Sequence, residues 1–455
     1  MDNLKTKIGR FLKLNPTQAI VVGFFLIILL GAFLLTLPIS SRDGEATNFL
    51  DSFFTATSAT CVTGLITFDT YSHWSGFGQI VILAMIQVGG LGFMTMFTIL
   101  SFLLKRTISM KERLVLMQSV NLNSMTGIVR LTKHILIATF TFEGAGALVL
   151  SLRFMKDFGF IGGIKKGIFH AVSAFCNAGF DLMGEKEPFS SLTYYHDDIV
   201  VNIVIMALII IGGLGFFVWE DIYTNKSFSK LNLYSKIVLG GTAFLILSGA
   251  VLVFAFEYDN PATLKDMSAE GKILSSFFQS VTTRTAGYNT IDLANMTQPT
   301  KVISCIWMFI GGASGSTAGG IKVVTIVVLI LAVKEYSKGN TTVSVSGRSI
   351  PNGEILRALT IFFMGALMVG ISSVLIMWVD NVPAIDAFFE CFSAFGTVGL
   401  TTGITPELSI FSKIILIILM FFGRVGILTI TLSLSVKARR KKANLQYPEA
   451  KVLIG

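Results

Sequence analysis

Eight stretches of this chain are long, apolar and almost free of charge: residues 19–37, 77–104, 135–152, 199–219, 237–256, 302–333, 358–379 and 414–436. A bilayer core of ~30 Å takes about 20 apolar residues in a helix. No single soluble core could bury eight such runs. Of the 455 residues 53% are apolar and only 14% charged, against about 25% charged in soluble domains. That excludes an ordinary cytosolic enzyme, a nucleic-acid binder and a secreted disulfide scaffold. The expectation is an all-α polytopic membrane protein.

Charge placement gives an expected topology. The N-terminal segment, the three loops after even-numbered runs and the C-terminal tail carry 23 Lys+Arg against 7 Asp+Glu, whereas the four opposite loops carry 11 against 19. Basic residues favour the cytoplasmic side, so both termini of this multi-pass membrane protein are expected there. The net charge of +9 thus reports topology, not nucleic acid. The first run lacks a small-residue cleavage site after it and reads as a retained span. Cys61, Cys176, Cys305 and Cys391 form no CxxC pair, and the four histidines form no HExxH, which argues against a disulfide framework or a zinc site.

The loops on the acidic side contain a repeat. Aligned on one glycine they read TATSATCVTGL, HAVSAFCNAGF, FQSVTTRTAGY and ECFSAFGTVGL, with Gly64, Gly179, Gly287 and Gly399 recurring after 115, 108 and 112 residues. Ten positions earlier stand Phe54, Phe169, Phe277 and Phe389; immediately after stand Leu65, Phe180, Tyr288 and Leu400. Each following apolar run carries its own small-residue cluster: GGLG, GGLG, GGAS and GRVG. Glycine pairs by themselves only let membrane helices approach closely. Four pore loops and four clusters in step imply four units of helix, pore loop and helix, at 15–105, 130–222, 234–335 and 355–437, with a tail at 438–455.

Non-helical backbone survives at membrane depth only where it lines water or is buried in protein. Four such segments around a pseudo-fourfold axis can ring a cation with backbone carbonyls, as four TVGYG loops do in K⁺ channels. TVGLT at 397–401 is close to that signature. The short helix before each loop would aim its partly negative C-terminal end at the pore.

The segments SATCVTGL, SAFCNAGF, TTRTAGYN and SAFGTVGL, with GGASGSTAGGIK and FFGRVG, resemble the Trk/Ktr/HKT superfamily of K⁺ transporters, and within it the membrane subunit of bacterial Ktr systems, over essentially the whole chain. Eight spans favour Ktr over Trk subunits with extra N-terminal spans, and glycine in all four loops resembles the K⁺-selective members. The resemblance implies a filter of Cys61, Val62, Thr63 and Gly64; Cys176, Asn177, Ala178 and Gly179; Arg284, Thr285, Ala286 and Gly287; and Gly396, Thr397, Val398 and Gly399. K⁺ would be held by the carbonyls of Val62, Thr63, Asn177, Ala178, Thr285, Ala286, Thr397 and Val398. Arg284 departs from the fourfold pattern, and acidic outer-loop residues are its expected partners.

Ten consecutive small residues, Gly311, Gly312, Ala313, Ser314, Gly315, Ser316, Thr317, Ala318, Gly319 and Gly320, interrupt the sixth run. They weaken a helix, and the resemblance implies an intramembrane gating loop; a kinked, tightly packed helix is the simpler alternative. The string ending at Lys322 is no phosphate-binding loop, because Ile321 separates the lysine from its glycine. Arg424, central in the eighth run, costs ~2.5–3.5 kcal/mol to insert. It is expected to stand below the filter as a barrier or to pair with the loop or Glu143, whose own expected role is an interhelical hydrogen bond.

No ATPase motif is present, so the chain is expected to be a transporter and not an enzyme, with no nucleotide of its own. A membrane potential supplies ≈ 2.3 kcal/mol per charge per 100 mV and accumulates K⁺ roughly fiftyfold; Na⁺ dependence stays open. The resemblance implies a homodimer over a cytosolic RCK-type nucleotide-binding regulatory ring. Residues 105–113, 334–357 and 437–442 are candidate docking surfaces, or else contacts with membrane lipid, and 447–455 a candidate dimer-interface tail. The alternatives are an ungated K⁺ channel and a less selective Na⁺/NH₄⁺ transporter. An intramembrane enzyme lacks the carboxylate or histidine pair it would need, and an inverted-repeat carrier lacks the alternating orientation.

Overall fold

A computed structural model describes residues 16–92, 128–345 and 347–435. Its elements are α1 (Pro16–Thr36), α2 (Phe49–Cys61), α3 (Gly76–Leu91), α4 (Ile128–Phe175), α5 (Ile199–Leu214), α6 (Phe216–Asn225), α7 (Leu233–Glu257), α8 (Ala269–Thr282), α9 (Gln298–Phe309), α10 (Val323–Ser337), α11 (Asn352–Asp380), α12 (Ala384–Gly396), α13 (Ile410–Val425) and α14 (Ile427–Ser435). One hairpin departs from the all-α expectation: β1 (Val343–Val345) pairs antiparallel with β2 (Arg348–Ile350) between α10 and α11. The docking segments at 105–113 and 437–442 and the tail at 447–455 lie outside the described residues.

Local chemistry sets where the helices begin. Asn48, Ser75, Asp198, Ser268 and Ser409 each accept a bond from the first turn of α2, α3, α5, α8 and α13, satisfying amides that have no partner inside a helix. The 48-residue α4 is two helices joined at Gly159, whose φ of +70° suits glycine. The halves double back on each other. A Cβ built on Gly163 would lie 2.5 Å from Met155 N, and one on Gly167 would lie 2.6 Å from Ser151 N. A long apolar helix thereby doubles back into a short second helix with no intervening loop.

Four described helices are long and apolar enough to cross a membrane, namely α1, α4, α7 and α11, and α5 with α6 would make a fifth despite a 92° bend. This is fewer than the eight runs in the sequence, and the glycine clusters are the reason. They end α3 at Gly92 (φ +80°), α5 at Gly215 (φ +91°) and α13 at Gly426 (φ +90°). The sixth run breaks more widely, between α9 and α10. The runs at 199–219, 302–333 and 414–436 are continuous in sequence yet broken in backbone where their small residues fall.

The packing closes on itself. α3 contacts α4, α5 contacts α8, α9 contacts α12, and α13 contacts α2, so the later helix of each unit leans on the next unit in cyclic order. Buried aromatics fill the spaces between. Phe54 and Phe389 are fully buried and Phe169 nearly so. In the third unit Phe277 is only half-buried, and its neighbour Phe278 takes the core position.

Candidate functional site

The four aligned turns meet at one place. A Cβ built on Gly64 would lie 2.6 Å from Ala178 O, one on Gly179 would lie 2.6 Å from Ala286 O, and one on Gly287 would lie 2.5 Å from Val398 O. One on Gly399 would strike Thr63 O and lie 2.8 Å from Gly64 Cα, closing the ring. Segments more than 100 residues apart in sequence thus place four glycines and the carbonyls of Thr63, Ala178, Ala286 and Val398 together. The order around the ring is that of the chain.

Backbone conformation repeats with the same register. Two residues before each glycine the chain enters the left-handed region, at Val62 (φ +58°), Asn177 (φ +60°), Thr285 (φ +72°) and Thr397 (φ +51°). The glycines follow at φ +100°, +70°, +87° and +92°, with an ordinary negative-φ residue between. For a β-branched residue a positive φ is rare, and Val62, Thr285 and Thr397 all adopt it. Strain of this kind, of order 1–3 kcal/mol per residue, persists only where the surroundings enforce it. Alternation in the sign of φ turns successive peptides so that neighbouring carbonyls share a side.

Hydroxyls enforce it here. Ser58 Oγ accepts from Gly64 N at 3.0 Å, and Ser393 Oγ accepts from Gly399 N at 3.0 Å. Ser173 Oγ donates to Phe180 O at 2.7 Å, and Thr282 Oγ1 donates to Tyr288 O at 2.6 Å. These four pinning residues are absent from the expected filter set. Three of them occupy one column, six positions before the glycine, while in the third unit the role moves by one residue to Thr282. That is the same slip that exchanges Phe277 for Phe278.

The glycines of the broken helices let backbone approach the ends of the short helices that precede the aligned turns. Gly89 lies on Thr60 O, Gly212 on Phe175 O and Gly423 on Phe395 O, each so close that a Cβ would strike the carbonyl. Gly311 breaks the pattern by packing on Gly319 O of its own loop.

The stretch 310–322 is irregular backbone, not a kinked helix. Gly311 N donates to Ile321 O at 2.8 Å, closing its neck, and Lys322 Nζ caps it through Ala318 O at 2.7 Å and Gly319 O at 3.1 Å. Ala313 N donates to Gly213 O at 2.9 Å and Gly320 N to Gly423 O at 3.2 Å, so the loop hangs between the broken helices of the second and fourth units. Thr317 Oγ1 donates to Asn177 Oδ1 at 3.1 Å, and Gly320 lies 3.2 Å, measured from a built Cβ, from Gly396 Cα. The loop therefore touches the second and fourth turns directly.

Arg424 joins this loop to the first unit. Its guanidinium donates to Thr317 O, to Gly89 O and, at 2.9 Å, to Gly90 O. Of the partners expected for it, the loop is found and Glu143 is not. Glu143 is buried and accepts from Gln87 Nε2 at 3.1 Å on both oxygens, with the Cys176 thiol 3.8 Å away, which is the interhelical bond expected. Arg284 overturns an expectation. No carboxylate pairs with it among the described residues; it is 7% exposed, its Nε has no partner, and it lines a small cavity with Ile209, Ile210, Ile246 and Gly312. Residue spacing could not reveal that this side chain lines a largely apolar cavity beside Gly312 of the loop.

Similarity to known proteins agrees with this geometry. The family model described as cation transport protein (TrkH) matches residues 10–445. The potassium/sodium uptake protein NtpJ of Enterococcus hirae is 43% identical over 97% of this chain and 98% of its own length. The Ktr system potassium uptake protein B of Bacillus subtilis is 39% identical over 99% of both chains. The crystal structure of the potassium transporter TrkH from Vibrio parahaemolyticus superposes with a TM-score of 0.71 at 18% identity, covering 92% of this chain and 86% of that one, which shows the shared fold. The chain belongs to the TrkH/Ktr family of membrane cation transporters, which are not enzymes.

Proposed function

We propose that this chain takes up K⁺ across the cytoplasmic membrane through the ring of Gly64, Gly179, Gly287 and Gly399. The observation that carries the reading is the closed ring itself, which sets carbonyls of Thr63, Ala178, Ala286 and Val398 beside the neighbouring unit's glycine. Carbonyl oxygens replace a cation's hydration shell at no cost in side-chain desolvation. The residues Val62, Asn177, Thr285 and Thr397 supply a second layer, because their left-handed conformation repeats in all four units. Similarity to potassium and potassium/sodium uptake proteins supports K⁺ as cargo, with Na⁺ as coupling ion or second cargo.

In this reading the eight apolar runs are eight spans, each second one broken at its glycines, with both termini cytoplasmic. Residues 310–322 lie beneath the ring as the gate, latched by Arg424 and capped by Lys322. A latch favours a regulated transporter over an ungated channel. The Ktr names of the relatives support a regulatory partner, which we assign to an RCK-type nucleotide-binding ring below a homodimer.

The test is Rb⁺ uptake in cells deleted for their own K⁺ importers, with the chain expressed alone and with a Ktr regulatory subunit. Saturable uptake that outcompetes Na⁺ is expected. No uptake in either strain, with the protein present in the membrane, removes K⁺ as the substrate.

A further inference from the structure

On the face where the turns after the filter residues gather, a pocket of about 170 Å³ opens between units one and two. Arg42 comes from the segment after α1, Tyr71 from the loop after the first turn, Phe158, Lys165 and Lys166 from the elbow of α4, and Glu185 from the loop after the second turn. Three cations thus line one cavity with one carboxylate. Lys166 is already satisfied: Nζ donates to Leu182 O at 2.7 Å, pairs with Glu185 at 3.0 Å and lies 3.8 Å from the Phe158 ring centre.

The other two are not neutralised. The Arg42 guanidinium lies over Tyr71, 4.2 Å from the ring centre, and Nε donates to Trp74 O at 3.4 Å. Neither Arg42 nor Lys165 has an acidic partner among the described residues. They are also near each other: desolvation and then the Arg42 charge push the Lys165 ammonium below its usual range. Two like charges facing one cavity repel unless an anion sits between them. The rim beside them is apolar, with Phe160 70% and Ile161 81% exposed on the turn of α4 that precedes the lysines. Cationic side chains beside exposed apolar residues are the pairing that the headgroup region of an acidic phospholipid layer favours.

We propose that this pocket is a binding site for a phosphate-bearing anion, either the phosphodiester headgroup of an acidic phospholipid or free inorganic phosphate. Arg42 offers its guanidinium fork to two phosphate oxygens, Lys165 supplies a point charge opposite, and Lys166 with Glu185 fixes the floor. The site stands independently of the K⁺ reading, since no ring or loop residue contributes to it.

The experiment uses the full chain purified in detergent, with thermal unfolding and native mass spectrometry as readouts. The probes are phosphatidylglycerol, phosphatidylcholine, sodium phosphate and sodium chloride at equal ionic strength. Phosphatidylglycerol or phosphate is expected to raise the unfolding temperature where phosphatidylcholine or chloride does not. The double substitution Arg42→Gln/Lys165→Gln should cut the bound fraction at least fivefold. The charge-preserving pair Arg42→Lys/Lys165→Arg should retain most binding, and Lys272→Gln should change nothing. A response to phosphatidylglycerol alone assigns the lipid as the source; a response to phosphate assigns the free anion. The proposal is overturned if neither probe is distinguished from its neutral or chloride control, or if the double variant binds as the wild type does.

Discussion

Replacing Gly64 by serine tests the ring with an internal control. Two costs arise at this position. The first is backbone: at φ +100° an L-residue pays of order 1–3 kcal/mol. The second is steric: a Cβ would lie 2.6 Å from Ala178 O, so that oxygen must retreat about 0.8 Å to reach an ordinary contact at 3.4 Å. Gly403 has nearly the same φ, +98°, but a Cβ there meets nothing within 4 Å. Gly403→Ser therefore carries the first cost without the second. Both variants should lower the unfolding temperature, while only Gly64→Ser displaces a ring carbonyl. Its preference for Rb⁺ over Na⁺, measured by competitive uptake, should fall at least tenfold, equivalent to about 1.4 kcal/mol. Gly403→Ser should keep the wild-type preference. If the two variants discriminate equally well, or equally badly, the carbonyl ring does not set selectivity.

Three further outcomes follow from the same geometry. Arg424→Gln removes charge-assisted bonds to Thr317 O and Gly90 O, each worth ~1.5–3 kcal/mol, so the maximal K⁺ uptake rate should rise severalfold at unchanged Rb⁺/Na⁺ preference; an unchanged rate would show that Arg424 is not a latch. Ser58→Ala and Ser393→Ala each leave a buried glycine amide unpaired, at about 1–3 kcal/mol, and should raise the KM for Rb⁺ while Ser72→Ala, at the surface, does not. Asp181, beyond the second turn, is raised to about 7 by desolvation, offset by the Met183 amide and Lys166 and reinforced by Asp69. Its folded-state pKa exceeds the unfolded one, so the folded form holds the extra proton and stability falls as pH climbs from about 4 to about 7. The unfolding temperature of Asp181→Asn should lose that part of the slope, and an identical pH profile would contradict the assignment.

Repetition made the site readable in the sequence. Four glycines in step, each followed by a large apolar residue, mark the turns because only glycine tolerates both the positive φ and the neighbouring carbonyl. The residues after them, Leu65, Phe180, Tyr288 and Leu400, are all buried. What escaped is what repetition does not carry. The one-residue slip in unit three disguised Thr282 and Phe278. The elbow at Gly159 lies inside an unbroken helical pattern, and only its contacts with the returning strand of helix reveal it. Arg424 bonds Gly89 and Thr317, more than 100 positions away in sequence, through backbone carbonyls that no side-chain pattern records. Charge alone makes acidic outer-loop residues the expected partners of Arg284; the side chain instead lines a largely apolar cavity with Ile209, Ile210 and Ile246.

The most direct test of the ring is anomalous scattering from Rb⁺ in crystals of the purified protein. The account predicts density on the pseudo-fourfold axis, shared among the carbonyl oxygens of Thr63, Ala178, Ala286 and Val398, and weakened in Gly64→Ser. Rb⁺ held away from that axis, by carboxylate side chains with the ring empty, would contradict it.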